Sequence, residues 1–448
     1  MTSKNSTIAA LATASGVASI AIVRLSGEDA LKIACTITKK DSFTPRYATL
    51  TTLYNRCDDA IDHAIVLYFK APHSFTGEDI VEFQCHGGNV VAQAVLDSVL
   101  AAGAVLATPG EYSKRAFING KIDLSKAEAI AKLIESKSQD AAKILTKQLK
   151  GELLHFVENA RDKLLKALAY SEVSIDYADE DLPSDIKQNL LTQLSTLCED
   201  IRKLVASSKR RKGLIEGFKI AIVGRPNVGK SSLLNAMLSY NRAIVSDIAG
   251  TTRDTIEEHL QIGTHLVRIV DTAGIRESKE VIEQIGIEKS LEAINECDIV
   301  IALFDASSQL QNDDYTILKL LQNSDKKIFY ALNKCDLDKN IQMYPFEAFD
   351  LVEISAHKNY EELIRKLQTH LDSIGLDEEL MLTSTRQIEA VEKAKDAIYA
   401  AVAPLKNEEL ELFSYHLLEA VEHISSISKP FNSEEVLSKM FGEFCLGK

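Results

Sequence analysis

The spacing of apolar residues changes twice along this chain, and the changes divide it into parts. Up to about residue 118, short β-like runs at 18–25 and 63–69 mix with a helix-like stretch at 90–102. From Ser125 onward, apolar side chains at Ile130, Leu133, Ile134, Ala141, Ile144 and Leu145, continuing to Leu168, recur in steps of three and four. Those steps hold them on one face of a 3.6-residue turn and predict long amphipathic helices, followed by a second helical run over 185–206. Compact apolar runs of strand length then take over at 218–223, 266–270, 328–332 and 350–354, of which the first reads as a buried parallel strand. Helical patterns return at 385–403 and 408–426. The simplest architecture is an α/β domain of about 216–374 inserted into a helical domain made from two segments, 119–215 and 375–448, behind an N-terminal domain of 1–118. Insertion of this kind works where chain ends lie close together.

Composition narrows the class. A chain of 448 residues has room for two to four domains with ample core. Its net charge of -14 means that a nucleic-acid partner would be held by local patches or by a companion protein. The seven cysteines are scattered with no C-x-x-C pair, which suits a reducing cytoplasm and argues against zinc. No apolar run reaches the length of a membrane span, and the mildly apolar stretch 8–23 is interrupted by Thr13, Ser15, Gly16 and Ser19. The expectation is a cytoplasmic protein without membrane attachment. The basic run Lys209-Arg210-Arg211-Lys212 could touch RNA phosphates, but solvated linker charge is the simpler reading. Over 375–448, fourteen acidic and seven basic residues give a net of -7, and no G-x-x-G loop of a KH module appears.

The chemistry concentrates in Gly224-Arg225-Pro226-Asn227-Val228-Gly229-Lys230-Ser231, set between the strand-like 218–223 and a helix-like run that opens at Ser231 and Ser232. In that context the octapeptide is a phosphate cradle. Its glycines let backbone N–H groups converge on a β-phosphate, Lys230 adds a point charge at the β/γ oxygens, and the Ser231 hydroxyl suits Mg2+. Asp271-Thr272-Ala273-Gly274 follows the next apolar strand, so Asp271 can reach the Mg2+ shell and the Gly274 N–H can approach a γ-phosphate. Asn333-Lys334-Cys335-Asp336 follows the strand at 328–332; its Asp336 carboxylate can accept hydrogen bonds from N1–H and the exocyclic amine of guanine, a pattern adenine lacks. Ser355-Ala356 would add a backbone contact to the guanine oxygen. Each short motif alone is weak, and Asn333 to Asp336 alone could be an ordinary strand-to-loop turn. Four in order, each at the carboxyl end of a predicted strand, specify GTP.

Between the first two elements, Gly250-Thr251-Thr252-Arg253-Asp254 has the character of a mobile segment that closes on γ-phosphate, with Thr252 completing the Mg2+ shell. Ile275 stands where Ras-type GTPases carry a glutamine that orients the attacking water. An aliphatic side chain cannot do this, and the nearby acids are Glu277, Glu280 and Glu283.

Over essentially its whole length the chain resembles the MnmE (TrmE) family of tRNA modification GTPases. The residues that carry the resemblance are Ile22 to Gly27, Ser74-Phe75-Thr76-Gly77-Glu78-Asp79, His86-Gly87-Gly88, Pro109 to Phe117, the GTPase motifs, and the terminal Phe444-Cys445-Leu446-Gly447-Lys448. The resemblance implies a multidomain α/β plus α protein: an α/β folate-binding, dimerising N-terminal domain, a helical domain of two segments, and an inserted Ras-like P-loop G domain. It further implies a homodimer that forms a heterotetramer with the FAD-containing MnmG. Together these add an aminomethyl or carboxymethylaminomethyl group to C5 of the wobble uridine of certain tRNAs. The one-carbon unit would come from 5-formyltetrahydrofolate or methylenetetrahydrofolate, and the nitrogen from ammonium or glycine. Folate contacts would fall on Arg24, Glu82, Lys121 and Lys448. A K+ site would use Asn227, Ser246, Ile248 and Thr251, Glu283 would position the water, and the nucleotide contacts would extend over Asp247, Ala249 and Gly250. The run Thr13 to Ser19 departs from the Gly- and Arg-rich turn common in the family, which bears on the local shape of the folate pocket.

Cys445 is open to three readings: a nucleophile in uridine modification, a small buried hydrophobe, or a contact to a partner subunit. Two other functions compete with the family reading. A regulatory GTPase of ribosome assembly is disfavoured by the missing KH-like module and the cysteine tail. A free-standing folate-dependent methyltransferase with a vestigial G domain is disfavoured by the complete GTP motifs.

Overall fold

A computed structural model describes residues 6–14, 16–176, 184–240, 258–270, 292–342, 346–374, 380–429, 437, 440–442, 444 and 447. The chain forms two compact units, one of residues 1–134, 148–194 and 393–448, the other of 135–147 and 195–392.

The first unit holds a six-stranded sheet: β1 (Ile8–Leu11), β2 (Ile20–Ser26), β3 (Thr49–Tyr54), β4 (Ala60–Phe69), β5 (Ile80–His86) and β6 (Val105–Leu106), in the order β3-β4-β5-β2-β1-β6. Period-2 geometry decides what each strand shows to each face. Along β2, Ala21, Val23 and Leu25 enter the core with Val81, Phe83 and Cys85 of β5, where they pack with the helices α1 (Ala30–Thr38) and α2 (Asn89–Ala101). The alternate positions Arg24 and Glu82 therefore share the opposite face, and antiparallel register sets them directly across from each other. The same unit contains α3 (Glu111–Ile118), α4 (Leu124–Glu135), α6 (Glu152–Asp176) and the helix Leu410–Ser425. The Ser171 hydroxyl joins the last two, donating to the Leu410 carbonyl at 3.1 Å and lying 2.8 Å from Ser414 Oγ. Leu124, Ala127, Leu437 and Phe441 make a satellite core at the chain's end, with Phe441 6.1 Å from Phe117 between ring centroids.

The second unit is built on β7 (Phe218–Val223), β8 (Glu258–Ile262), β9 (His265–Val270), β10 (Ile299–Asp305), β11 (Lys327–Asn333) and β12 (Leu351–Glu353), in the order β12-β11-β10-β7-β9-β8. All pairs are parallel except β8 with β9. Strand β10 is buried along its whole length because both faces are covered. Ile299, Ile301 and Leu303 enter one core layer, and Val300, Ala302 and Phe304 the other. Most of α5 (Gln139–Leu149) also belongs to this unit, where the Thr264 hydroxyl donates to Asp140 at 2.7 Å. The doubly wound arrangement directs the carboxyl ends of β7, β10, β11 and β12 to one edge.

One expectation fails locally. The helical run that reads as 185–206 continues as α7 from Ser184 to Glu216, so Lys209 to Lys212 is not a linker. Arg211 is 4 % exposed, and its Nη2 donates to Ser207 Oγ at 2.7 Å and to the Leu380 carbonyl at 3.2 Å. Lys209 and Lys212 pair with Glu392 and Glu216. The polar run hides a helix because a guanidinium can be buried when its donors find acceptors.

Candidate functional site

The loop between β7 and α8 (Lys230–Tyr240) is shaped by backbone constraints before any ligand is considered. Asn227 sits at φ 63° and Gly229 at φ 101°, the left-handed conformations that turn successive N–H groups inward. A Cβ on Gly229 would lie 2.2 Å from Asn333 Nδ2, so only glycine fits. The Lys230 ammonium donates to the carbonyls of Gly224 at 2.6 Å and Arg225 at 2.9 Å, and burial pulls its pKa below the ordinary lysine value. Val228 is fully buried, while Asn227 is exposed at the loop's tip. Ser231 and Ser232 occupy the first turn of α8, where the positive end of the helix dipole favours an anion.

Asn333 joins the two halves of this site. It ends β11, is 2 % exposed, donates from Nδ2 to the Val228 carbonyl at 2.7 Å, and accepts at Oδ1 from the Ala356 N–H at 3.0 Å. One side chain thus ties the phosphate loop to the turn after β12. Asp336 is exposed beside the buried Ser355 with Lys358 3.8 Å away, and these neighbours together hold its carboxyl below the ordinary value. An ionised, accessible carboxylate is what recognition of a guanine edge needs.

The structure adds residues for which the sequence reading assigned no role. Asp305, the last residue of β10, lies opposite Asn333 in register and accepts from Lys334 Nζ at 2.6 Å and from the Ser307 N–H at 2.9 Å. Burial opposes its ionisation, yet the Lys334 and Ser307 bonds outweigh burial and hold its carboxyl below the usual carboxylate value. Asp314 receives Arg225 Nε at 3.1 Å, and there burial wins and raises the carboxyl. The available signal was a carboxylate closing an otherwise apolar strand.

In the first unit, Arg24 and Glu82 form a bond of 2.8 Å on the sheet face away from the main core. The Tyr112 hydroxyl donates to the Arg24 carbonyl at 2.7 Å, and the Arg24 guanidinium lies 5.8 Å from the Tyr112 ring centroid. Ser26, two residues along the same strand, meets Thr76 Oγ1 at 2.7 Å, and the exposed Lys121 packs over Gly77, 3.0 Å from where a Cβ would stand. Arg115 holds Glu78 at 3.1 Å and Glu111 at 2.9 Å. The chain terminus approaches the same sheet: Gly447, at φ 90°, leaves a Cβ only 2.4 Å from the Leu11 carbonyl, and Leu11 pairs with Val23 beside Arg24. The candidates Ser246, Asp247, Ile248, Ala249, Gly250, Thr251, Thr252, Asp271, Thr272, Ala273, Gly274, Glu283, Cys445 and Lys448 lie outside the described residues. Among the described residues no helix is long and apolar enough to cross a membrane, and no cluster of three metal-ligating side chains occurs.

A glycine-turned phosphate loop braced by Asn333 at the carboxyl edge of a doubly wound, mainly parallel sheet is the arrangement of a P-loop GTPase. Residues 7–121 match the family model for the GTP-binding protein TrmE N-terminus, and residues 124–445 match that for the MnmE helical domain. The tRNA modification GTPase MnmE of a Sulfurovum species is 62 % identical over 443 residues, covering 99 % of this chain and 98 % of its own. That of Sulfurimonas denitrificans is 58 % identical and spans 99 % of both chains. That of Aliarcobacter butzleri is 54 % identical, over 99 % of this chain and 100 % of its own. The chain belongs to the MnmE family of tRNA modification GTPases.

Proposed function

We propose that the protein is a cytoplasmic, potassium-dependent GTPase that works as a homodimer with an FAD-containing MnmG partner, as a heterotetramer, on C5 of the wobble uridine of tRNA. It would install an aminomethyl or carboxymethylaminomethyl group using a tetrahydrofolate one-carbon unit. The observation that carries this reading is the coexistence, in one family member, of the Asn333-braced phosphate loop with a second polar site at Arg24 and Glu82, on a sheet that Gly447 approaches at Leu11. The names of the relatives favour tRNA modification over ribosome assembly.

The residues present fit the groups this function requires. The inward-turned loop, with glycine enforced at 229 and a desolvated Lys230, suits a polyphosphate, and Asp336 suits guanine. Ser231 and Thr252 would hold Mg2+; Asn227, Ser246, Ile248 and Thr251 would hold K+; the two cations supply positive charge to the phosphate oxygens when bound. Glu283 would orient the attacking water in place of the glutamine absent at Ile275. In the first unit, Arg24, Lys121 and Lys448 suit the glutamyl carboxylates of a folate, and Glu82 suits the pterin N–H edge. Cys445 follows Phe444 in the sequence, and its thiolate would serve as nucleophile toward an electrophilic carbon.

Mass spectrometry of wobble uridines from a deletion strain carrying a Cys445→Ser copy tests this assignment. Modification should be lost while potassium-stimulated GTP hydrolysis by the purified variant persists, because the two sites belong to different units. Normal modification in that strain would make the cysteine structural, and unmodified uridines that the parent gene fails to restore would remove the functional reading itself.

A further inference from the structure

Arg225 occupies the second position of the phosphate loop, where a guanidinium could be expected to meet phosphate directly. It is instead held away by its own partners. Nε donates to Asp314 at 3.1 Å, Nη2 donates to Ser308 Oγ at 2.5 Å, and Nη2 lies 3.7 Å from Asp305 Oδ2. The side chains of Arg225, Asp305 and Asp314 are 11 %, 6 % and 2 % exposed, so the pairing is largely desolvated and unscreened. What Arg225 presents to the cradle is its carbonyl, which accepts from the Lys230 ammonium.

The same Asp305 oxygen receives Lys334 Nζ at 2.6 Å. Lys334 sits at φ 65°, two residues before Asp336, so its anchored side chain fixes the turn that aims the guanine-reading carboxylate. The other oxygen, Oδ1, accepts the Ser307 N–H and hydroxyl at 2.9 and 2.6 Å, which locks the carboxylate's own orientation. Two cations and two carboxylates balance within this cluster.

We propose that Asp305 is a positioning residue of the nucleotide site, a single carboxylate that anchors the base-reading turn through Lys334 and the phosphate loop through Arg225. In this arrangement Arg225 is a strut and not a phosphate ligand. With its oxygens taken up by Lys334, Ser307 and Arg225, Asp305 acts by holding both halves of the site in register before GTP arrives, so its loss lowers affinity and spares chemistry. The proposal rests on the guanine-nucleotide reading of this site, and titration of the parent protein with GTP tests that reading separately.

The experiment compares the full-length parent with Asp305→Asn, Lys334→Met and the double variant, using fluorescent GTP and GDP analogues for Kd and steady-state hydrolysis for KM and kcat. Asp305→Asn should weaken both nucleotides about tenfold, as loss of a charge-assisted bond implies. KM should rise in parallel, with kcat changing by less than about twofold. The double variant should bind about as weakly as Asp305→Asn alone, because Lys334→Met removes only a link that Asp305→Asn has already broken. Unchanged nucleotide affinity in folded Asp305→Asn, or fully additive losses in the double variant, would overturn the proposal, as would a fall in kcat with KM unmoved. If Asp305→Asn fails to fold, Arg225→Gln and Lys334→Met decide. A loss of about fivefold or more in both, with parent-like chemical denaturation, supports the shared anchor, and parent-like affinity in either refutes it.

Discussion

Asn333→Ala should damage the nucleotide site from within the fold, and its cost can be worked from two bonds. The parent side chain satisfies the Val228 carbonyl at 2.7 Å and the Ala356 N–H at 3.0 Å, at a position 2 % exposed. Alanine leaves both backbone groups buried without that partner, and each such group costs about 1–3 kcal/mol. Water reaching the emptied space would recover part of this, which places the net loss at about 2–4 kcal/mol. In a unit of this size each kcal/mol lowers the melting temperature by about 2–4 °C, so the nucleotide-free protein should melt at least about 4 °C lower. The transition belonging to this unit is the one that added GTP raises, since a ligand stabilises only the unit that binds it. Affinity for GTP and GDP should fall together by about tenfold, because the two bonds lost brace parts of the site that both nucleotides share. Asn333→Asp sharpens the test: it retains an acceptor for Ala356 but sets a carboxylate oxygen against the Val228 carbonyl, so it should be about as harmful as alanine. Thermal unfolding by circular dichroism and titration with a fluorescent nucleotide read both effects. An Asn333→Ala protein that melts within about 1 °C of the parent and binds GTP equally well would refute the bridge as a source of preorganisation.

Asp336→Asn should leave melting unchanged, since Asp336 is exposed, yet weaken GTP at least about tenfold and admit xanthosine nucleotides; unaltered GTP binding would remove it from base recognition. Hydrolysis should run faster in potassium than in sodium, and Asn227→Ala should abolish the difference; equal rates in the two salts would count against the monovalent site. Arg211→Ala should destabilise the protein by about 3–5 kcal/mol in chemical denaturation, because it removes a buried guanidinium from Ser207 and the Leu380 carbonyl, whereas the neighbouring exposed Arg210→Ala should change stability by less than about 0.5 kcal/mol; equal effects would restore the solvated reading of that run.

Local pattern determined much of this protein. The buried strand at Phe218–Val223, the glycines of the phosphate loop and the carboxyl-end placement of Asn333 to Asp336 are each legible because a parallel strand needs continuous apolar residues and a tight cradle needs glycine. The helices are equally visible as three- and four-residue apolar steps, although the steps run on through the breaks at 136–138 and 150–151 that separate α4, α5 and α6. At Lys209 to Lys212 a polar run continued a helix, because what sustained it was an acceptor at Leu380, far away in sequence. Tertiary structure alone decided which polar residues meet. Arg24 and Glu82 are 58 positions apart and are joined by antiparallel register; Asp305 and Lys334 are 29 apart and are joined by two adjacent parallel strands. The return of Gly447 to Leu11 likewise has no trace in periodicity. Apolar patterning records which face of an element is buried, a property of neighbours along the chain. The partner of a charged side chain is set by strand order and register, which arise only once the whole sheet has formed.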